Sequence, residues 1–324
     1  MPIDACWPRL RARLLALALT LGGALAAAAD CPPPTPTPSA AQMQAAQAGA
    51  RDRGFLWRIE QGGRSSWLYG TLHVAKLEWA FPGPQVLAAL SAARLVALEL
   101  DPTDLDAARA ALAALAPGDA GSAERLPPAL ARRLAHRIDA ECLSHAAFDA
   151  LSPTMQAITL ATLVARRDGL DPAFGIDAML AGFAHAGGRP VVALESFEQQ
   201  LAALTGGRPD EAQRFVEQTL DEIDSGRART QAARLAQAWA DGDLATLESY
   251  PRWCGCMESA EERALMERLI DDRNLAMAAR IDALHREGGA VFAAVGALHL
   301  SGPQGLPALL AARGYRVERV TFGR

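Results

Sequence analysis

Two segments at opposite ends of this chain read almost alike. Residues 69–74 are Tyr-Gly-Thr-Leu-His-Val, and residues 295–300 are Val-Gly-Ala-Leu-His-Leu. Each Gly-x-Leu-His unit follows an apolar, strand-like run, so only the fold can bring His73 and His299 together. A second echo pairs Val96-Ala97-Leu98-Glu99 with Val192-Ala193-Leu194-Glu195. Four short apolar runs thus each end in an imidazole or a carboxylate. Ligand sites in open α/β sheets lie beyond the carboxyl ends of strands. Glycine lets the backbone turn there, or lets another group approach closely. Two His and two Glu at strand ends are the side chains a divalent metal site uses.

Composition excludes several other classes. The 324 residues are 50% hydrophobic and 21% charged, which is ample for a large core, and the net charge of −5 offers no basic footprint for nucleic acid. Lys76 is the only lysine, so the positive charge is almost wholly arginine.

Residues 1–29 read as a signal peptide. Arg9, Arg11 and Arg13 precede an apolar Leu14–Ala26 run, and Ala27, Ala28 and Ala29 supply small residues for cleavage. The run is shorter than the ~20 residues a membrane span needs, so the expected product is periplasmic or secreted, with no stable membrane span. Export leaves Cys31, Cys142, Cys254 and Cys256, an even number suited to two disulfides. The expectation is that Cys142 joins Cys254 or Cys256, with Cys31 taking the remaining partner or staying free. Cys254-Gly255-Cys256 is a weak metal signal without a second close pair.

Residues 30–53 form a Pro/Ala-rich tether, and residues 54–324 an α/β domain with a helical insertion at about 102–250. Phe55–Glu60 and Ser66–Tyr69 read as a hairpin, and a helix opens at Pro84. Leu95–Leu100 and Val191–Leu194 are continuous apolar strands. Helices are expected over 197–204, 210–224, 227–240 and 244–250. A capping box, Ser259-Ala260-Glu261-Glu262, opens one long helix that Gly288-Gly289 ends. A strand at 291–295, a helix near 306–312 and a strand at 316–322 complete a mixed α/β domain.

Among candidate site residues, Glu99 is followed by Leu100, so its strand is expected to run on past a carboxylate that needs a partner. Arg273 falls on the apolar face defined by Leu269, Ile270, Met277, Ile281 and Leu284, with Asn274 at its edge. An arginine there calls for Glu99, Glu195 or an oxyanion. His136, His145, His185 and His285 read as surface residues, and Trp57, Trp67 and Trp79 as core.

Several of these segments also resemble one known family. Phe55-Leu56-Trp57-Arg58-Ile59, Tyr69-Gly70-Thr71-Leu72-His73, Leu98-Glu99-Leu100-Asp101, Gly175-Ile176-Asp177, Leu194-Glu195, Gln200-Leu201, Trp239-Ala240-Asp241-Gly242-Asp243, Arg273-Asn274 and Val295-Gly296-Ala297-Leu298-His299 are similar to the TraB/PrgY/GumN pattern. The likeness is greatest to its exported GumN-type members. It implies an erythromycin-esterase/ChaN-like α/β fold and kinship with the TIKI metalloproteases, which use paired Gly-x-x-His motifs, a Glu and an Arg with manganese or cobalt.

The combined expectation is an exported metal-dependent hydrolase of a peptide or amide bond, with a peptide or small molecule as substrate. His73, Glu99 and His299 are the metal ligands, and the cofactor is a divalent metal, Mn or Co. Glu195 is general base or partner to a ligating His, Arg273 steadies a carboxylate or oxyanion, and Asn274 is a neighbouring donor. The alternative is a non-catalytic periplasmic binding protein for a peptide, haem or metal.

Overall fold

Six strands make one mixed sheet: β1 (Leu56–Gln61), β2 (Arg64–Thr71), β3 (Leu95–Leu98), β4 (Val191–Ala193), β5 (Val291–Gly296) and β6 (Arg316–Val320), in the order β4-β3-β5-β2-β1-β6. The computed structural model describes residues 31–35, 37–101, 103–104, 126–205 and 209–323; residues 1–29, where a signal peptide is expected, and part of the insertion lie outside them. β4, β3, β5 and β2 run parallel to one another, while β1 is antiparallel to β2 and to β6. Central β5 is covered on both faces, so Val291 to Val295 are all buried, as a parallel strand between two neighbours demands. Gly62 and Gly63, with φ of 59° and 73°, make the two-residue turn from β1 to β2.

The sheet's core includes Ile59, Leu68, Val96, Phe292 and Trp239. A second apolar cluster lies within the insertion, where Leu134, Ile138, Leu160, Val216 and Leu220 join helices Pro128–Ala140, Pro153–Leu163 and Pro209–Asp224. Arg133 and Arg137 of the first helix pair with Asp224 of the last, and Arg133 also reaches Asp221 at 2.7 Å.

The structure departs from the sequence expectations at several points. The tether is not wholly extended: Ala40–Ala48 is a helix with a Ser39–Gln42 capping box, and it buries none of its residues. Residues 52–53 already belong to the domain, since Asp52 accepts the Val86 N–H at 3.0 Å at the start of helix Pro84–Ala92. β3 stops at Leu98, so Glu99 stands past the strand rather than within it. The 244–250 helix is two short pieces, Leu244–Glu248 and Tyr250–Trp253, with Ser249 and Pro251 at the break.

The long helix after Ser259 is interrupted as well. Ala260–Met266 passes into a π turn, Glu267–Asp271, before Asp272–Gly288 continues as α-helix. His285 is buried rather than on the surface. Its Nδ1 meets Ser66 Oγ at 2.8 Å and its Nε2 lies 3.1 Å from the Gln61 carbonyl, so two polar partners meet its burial.

The disulfides also differ from expectation. Cys31 bridges Cys142, and Cys254 bridges Cys256, so Cys142 is joined to neither of its expected partners. The tether folds back onto the insertion and takes Cys142, which leaves the two close cysteines to each other.

Candidate functional site

Four parallel strands share one carboxyl edge, and each leads into one expected residue. His73 follows β2, Glu99 follows β3, Glu195 follows β4, and His299 lies in the 3₁₀ turn Ala297–Leu300 directly after β5. Backbone bonds fix the segment after β2: Ala75 pairs with Asp171 as an antiparallel bridge, and the Ile176 N–H donates to the Leu72 carbonyl at 2.8 Å. That clip sets His73 beside Asp177, in the first turn of helix Ile176–Ala186. A Cβ on Gly175 would stand 2.8 Å from the His73 carbonyl oxygen, so this approach requires glycine. At Gly296 a Cβ would come within 3.2 Å of Glu99 Oε1 and 3.6 Å of His299 Cδ2. Both glycine positions thus admit the polar side chains to the edge.

Arg273 binds the two carboxylates together, as its apolar helix face implied. Its Nη2 is 2.5 Å from Glu99 Oε2 and also reaches Glu195 Oε1, its Nε donates to Glu195 Oε2 at 3.0 Å, and its Nη1 donates to the Leu269 carbonyl at 2.9 Å. Leu269 lies in the π turn, and π turns recur at functional positions. Gln200 Nε2 donates to both carboxylates, at 3.1 Å to Glu99 and 2.9 Å to Glu195. The Gly296 N–H donates to Glu99 Oε1 at 2.6 Å.

The two histidines are held differently. His299 is buried, and its Nδ1 lies 2.8 Å from Asn274 Oδ1. Asn274 uses its Nδ2 to donate to the Gln304 carbonyl, so its oxygen faces the ring and the proton belongs on Nδ1. Burial pulls the His299 pKa down to about 4, which keeps the ring neutral at neutral pH. The unprotonated Nε2 then faces Glu99 Oε1 at 3.8 Å. Burial alone would raise the Glu99 carboxyl, but neighbouring His299, His73 and Arg273 with the Gly296 N–H outweigh it and bring the pKa to about 2. With His299 neutral, Arg273 and the Gly296 N–H still hold that carboxylate ionised.

His73 sits at the open side, with 68% of its side chain exposed, and its Nδ1 is 3.3 Å from Asp177 Oδ2. The hydrogen bond and the charge of Asp177 push its pKa up to about 9, a rise that solvent screening at so exposed a ring moderates. Asp177 Oδ1 is buried without a hydrogen-bond partner.

His73, Glu99, His299 and Arg273 line one cavity of about 330 Å³, whereas Glu195 stands behind Arg273 and does not line it. Tyr69 takes no part, since its hydroxyl donates to the Arg53 carbonyl inside the core.

The chain matches the TraB/PrgY/gumN family model over residues 55–319. It belongs to the TraB/PrgY/gumN family. The matched span takes in β1 to β5, all but the last residue of β6, and every residue of the edge just described. No curated protein and no solved structure matched the chain.

The edge offers imidazole and carboxylate donors of the kind divalent cations take. Two acceptors, His299 Nε2 and Glu99 Oε1, face each other with no proton between them, an arrangement that a positive ion would relieve. Each histidine is oriented through its other nitrogen by a carboxylate or an amide, as metal-ligating imidazoles are. Among the described residues, however, no group of three His, Cys, Asp or Glu side chains is gathered closely enough to hold an ion. Sequence reasoning assigned no role to Asp177 or Gln200. The available signal was the family resemblance, which takes in Gly175-Ile176-Asp177 and Gln200-Leu201.

Proposed function

We propose that this chain is a metal-dependent hydrolase of peptide or amide bonds. The observation that carries this reading is the facing pair of acceptors, His299 Nε2 and Glu99 Oε1, in a cavity that His73 and Arg273 also line. His73, Glu99 and His299 would hold the ion, Mn or Co by the family resemblance. A change in side-chain rotamer is needed to gather the three, and exposed His73 is the one free to turn. A divalent metal held there polarises a carbonyl and lowers the pKa of a coordinated water.

The protein's own residues do the rest. Asn274 keeps the proton of His299 on Nδ1 and so leaves Nε2 as a donor. Asp177 orients His73 through its Nδ1, and with that ring's pKa raised a metal would have to displace the Nε2 proton. Arg273 and Gln200 fix Glu99 and hold it ionised. Glu195, paired with Arg273, positions that arginine rather than meeting substrate, and the open rim by His73 admits the substrate. The two disulfides accord with an oxidising compartment, so the proposal includes export.

A second reading, a non-catalytic peptide-binding protein, draws on one observation: both Glu99 oxygens already have protein partners. Isothermal titration with Mn²⁺ and Co²⁺, beside a peptide-library cleavage assay, separates the two. The hydrolase reading expects stoichiometric metal binding lost in His299→Ala and metal-dependent cleavage lost in His73→Ala. Peptide binding with neither metal uptake nor cleavage would establish the alternative.

A further inference from the structure

The cavity beside the strand edge has two kinds of lining. One is polar: His73, Glu99, His299 and Arg273. The other is apolar: Ala161 and Ala165, Leu235 and Ala236 from helix Arg227–Asp241, and Leu269 and Ile270 from the π turn. That apolar wall carries no charged side chain. Its one hydroxyl, Thr162 Oγ1, donates to the Ile158 carbonyl at 2.9 Å and is already satisfied. Space exists there because alanines stand where larger side chains would fill it.

The cations of the polar lining are already paired, His73 Nδ1 lying 3.3 Å from Asp177 Oδ2. Among the described residues that line the cavity, Arg273 is the only arginine or lysine, and its Nε, Nη1 and Nη2 are all committed to Glu99, Glu195 and the Leu269 carbonyl. Three carboxylates, Glu99, Glu195 and Asp177, outnumber the positive side chains around the edge.

From this we infer the substrate class: a neutral amide or interior peptide bond whose neighbouring side chain is aliphatic and fills the alanine-walled space, with no free carboxylate recognised. The inference rests on the hydrolase reading of the same cavity and adds its specificity. Burying an aliphatic group against such a wall is favourable, whereas a polar isostere would lose its water without gaining a partner. A terminal carboxylate would have to compete with Glu99, Glu195 and Asp177 for Arg273 and His73.

Binding to the metal-free, disulfide-bonded protein tests this apart from turnover. The probes are N-acetyl-leucinamide, its polar near-isostere N-acetyl-asparaginamide, and N-acetyl-leucine, which ends in a carboxylate, each titrated by NMR. N-acetyl-leucinamide is expected to bind at least about tenfold more tightly than either other probe, in the range that pocket contacts of this size give. Ala236→Leu should abolish that preference by filling the space. Leu235→Ala, which removes bulk and so does not depend on tolerating extra volume, should shift preference towards N-acetyl-phenylalaninamide. Equal binding of the three probes, tighter binding of N-acetyl-leucine, no binding of any probe, or a preference unchanged in Leu235→Ala would each overturn the inference. Metal titration of His299→Ala reports on the hydrolase reading separately, so failure of one is not failure of the other.

Discussion

Arg273, Glu99 and Glu195 form one buried charged group, with side-chain exposures of 15%, 10% and 5%. Removing the arginine leaves two carboxylates together without their counter-charge, and breaking such a buried pair costs about 3–5 kcal/mol. Arg273→Ala should therefore lower the urea midpoint strongly and abolish cleavage; a variant that unfolds like wild type would mean that the pairing contributes little. Asn274→Leu tests a gentler dependence. It leaves the His299 Nδ1 proton unpaired in a buried site, costing about 1–3 kcal/mol, and frees the ring to adopt the wrong tautomer. Mn²⁺ affinity should fall by about 10–100-fold, and an unchanged affinity would show that His299 needs no such support. Repetition in the sequence pointed to His73 and His299, and one arginine on an apolar face predicted its own partners. Asp177 and Gln200 were marked only by the family resemblance, in Gly175-Ile176-Asp177 and Gln200-Leu201; an acidic residue at a helix start and a glutamine in a helix are common, and only the tertiary fold gives them a target. His285 misled because a histidine near charged residues reads as exposed until Ser66 is seen opposite it.

Continuous apolar runs made the parallel strands legible, since a strand covered on both faces cannot hide its composition. The π turn at Glu267–Asp271 was not legible, because a single wider turn leaves the helical spacing of apolar residues almost intact. Its effect is local and large: Leu269 and Ile270 reach the cavity while the Leu269 carbonyl still meets Arg273. In the insertion, helices Pro128–Ala140 and Pro209–Asp224 are joined by Asp224 with Arg133 and Arg137. Burial alone would raise the Asp224 pKa, but hydrogen bonds from Arg133 and Arg137 and their charges outweigh it and lower it. A carboxylate with a lowered folded pKa stabilises above its unfolded value, near 4, and that stability is lost as pH falls through the lower folded value. Asp224→Asn should thus be less stable than wild type by about 1 kcal/mol at pH 7, with the gap closing below about pH 4. Thermal melts from pH 3 to 8 measure it; a gap that persisted at pH 3 would mean that the pairing is not its source.

At the scale of the whole molecule, Cys31–Cys142 encloses a sequence separation of 111 and Cys254–Cys256 one of only 2. Loop-closure entropy gives a cross-link of the first kind about 4–5 kcal/mol, and much less to the second. Cys31→Ser should lower the melting temperature of the oxidised protein clearly, while Cys256→Ser moves it little; the reverse order would place the constraint elsewhere. An even cysteine count foretold two bridges, but pairing depends on where the tether runs, and its composition does not encode a route. Sheet order has a consequence for biogenesis. β1 and β2 are made early, yet their outer neighbours β6 and β5 come from the last part of the chain. At ribosomal rates of about 5–20 residues per second, the hairpin waits roughly 10–45 s with both edges unpaired. A bare hairpin of this kind is marginal in water and is a template for another chain's strands. The nascent protein thus calls for a holdase that shields residues 56–71 until the final strands emerge, and C-terminal truncation should yield aggregates rather than a smaller folded core.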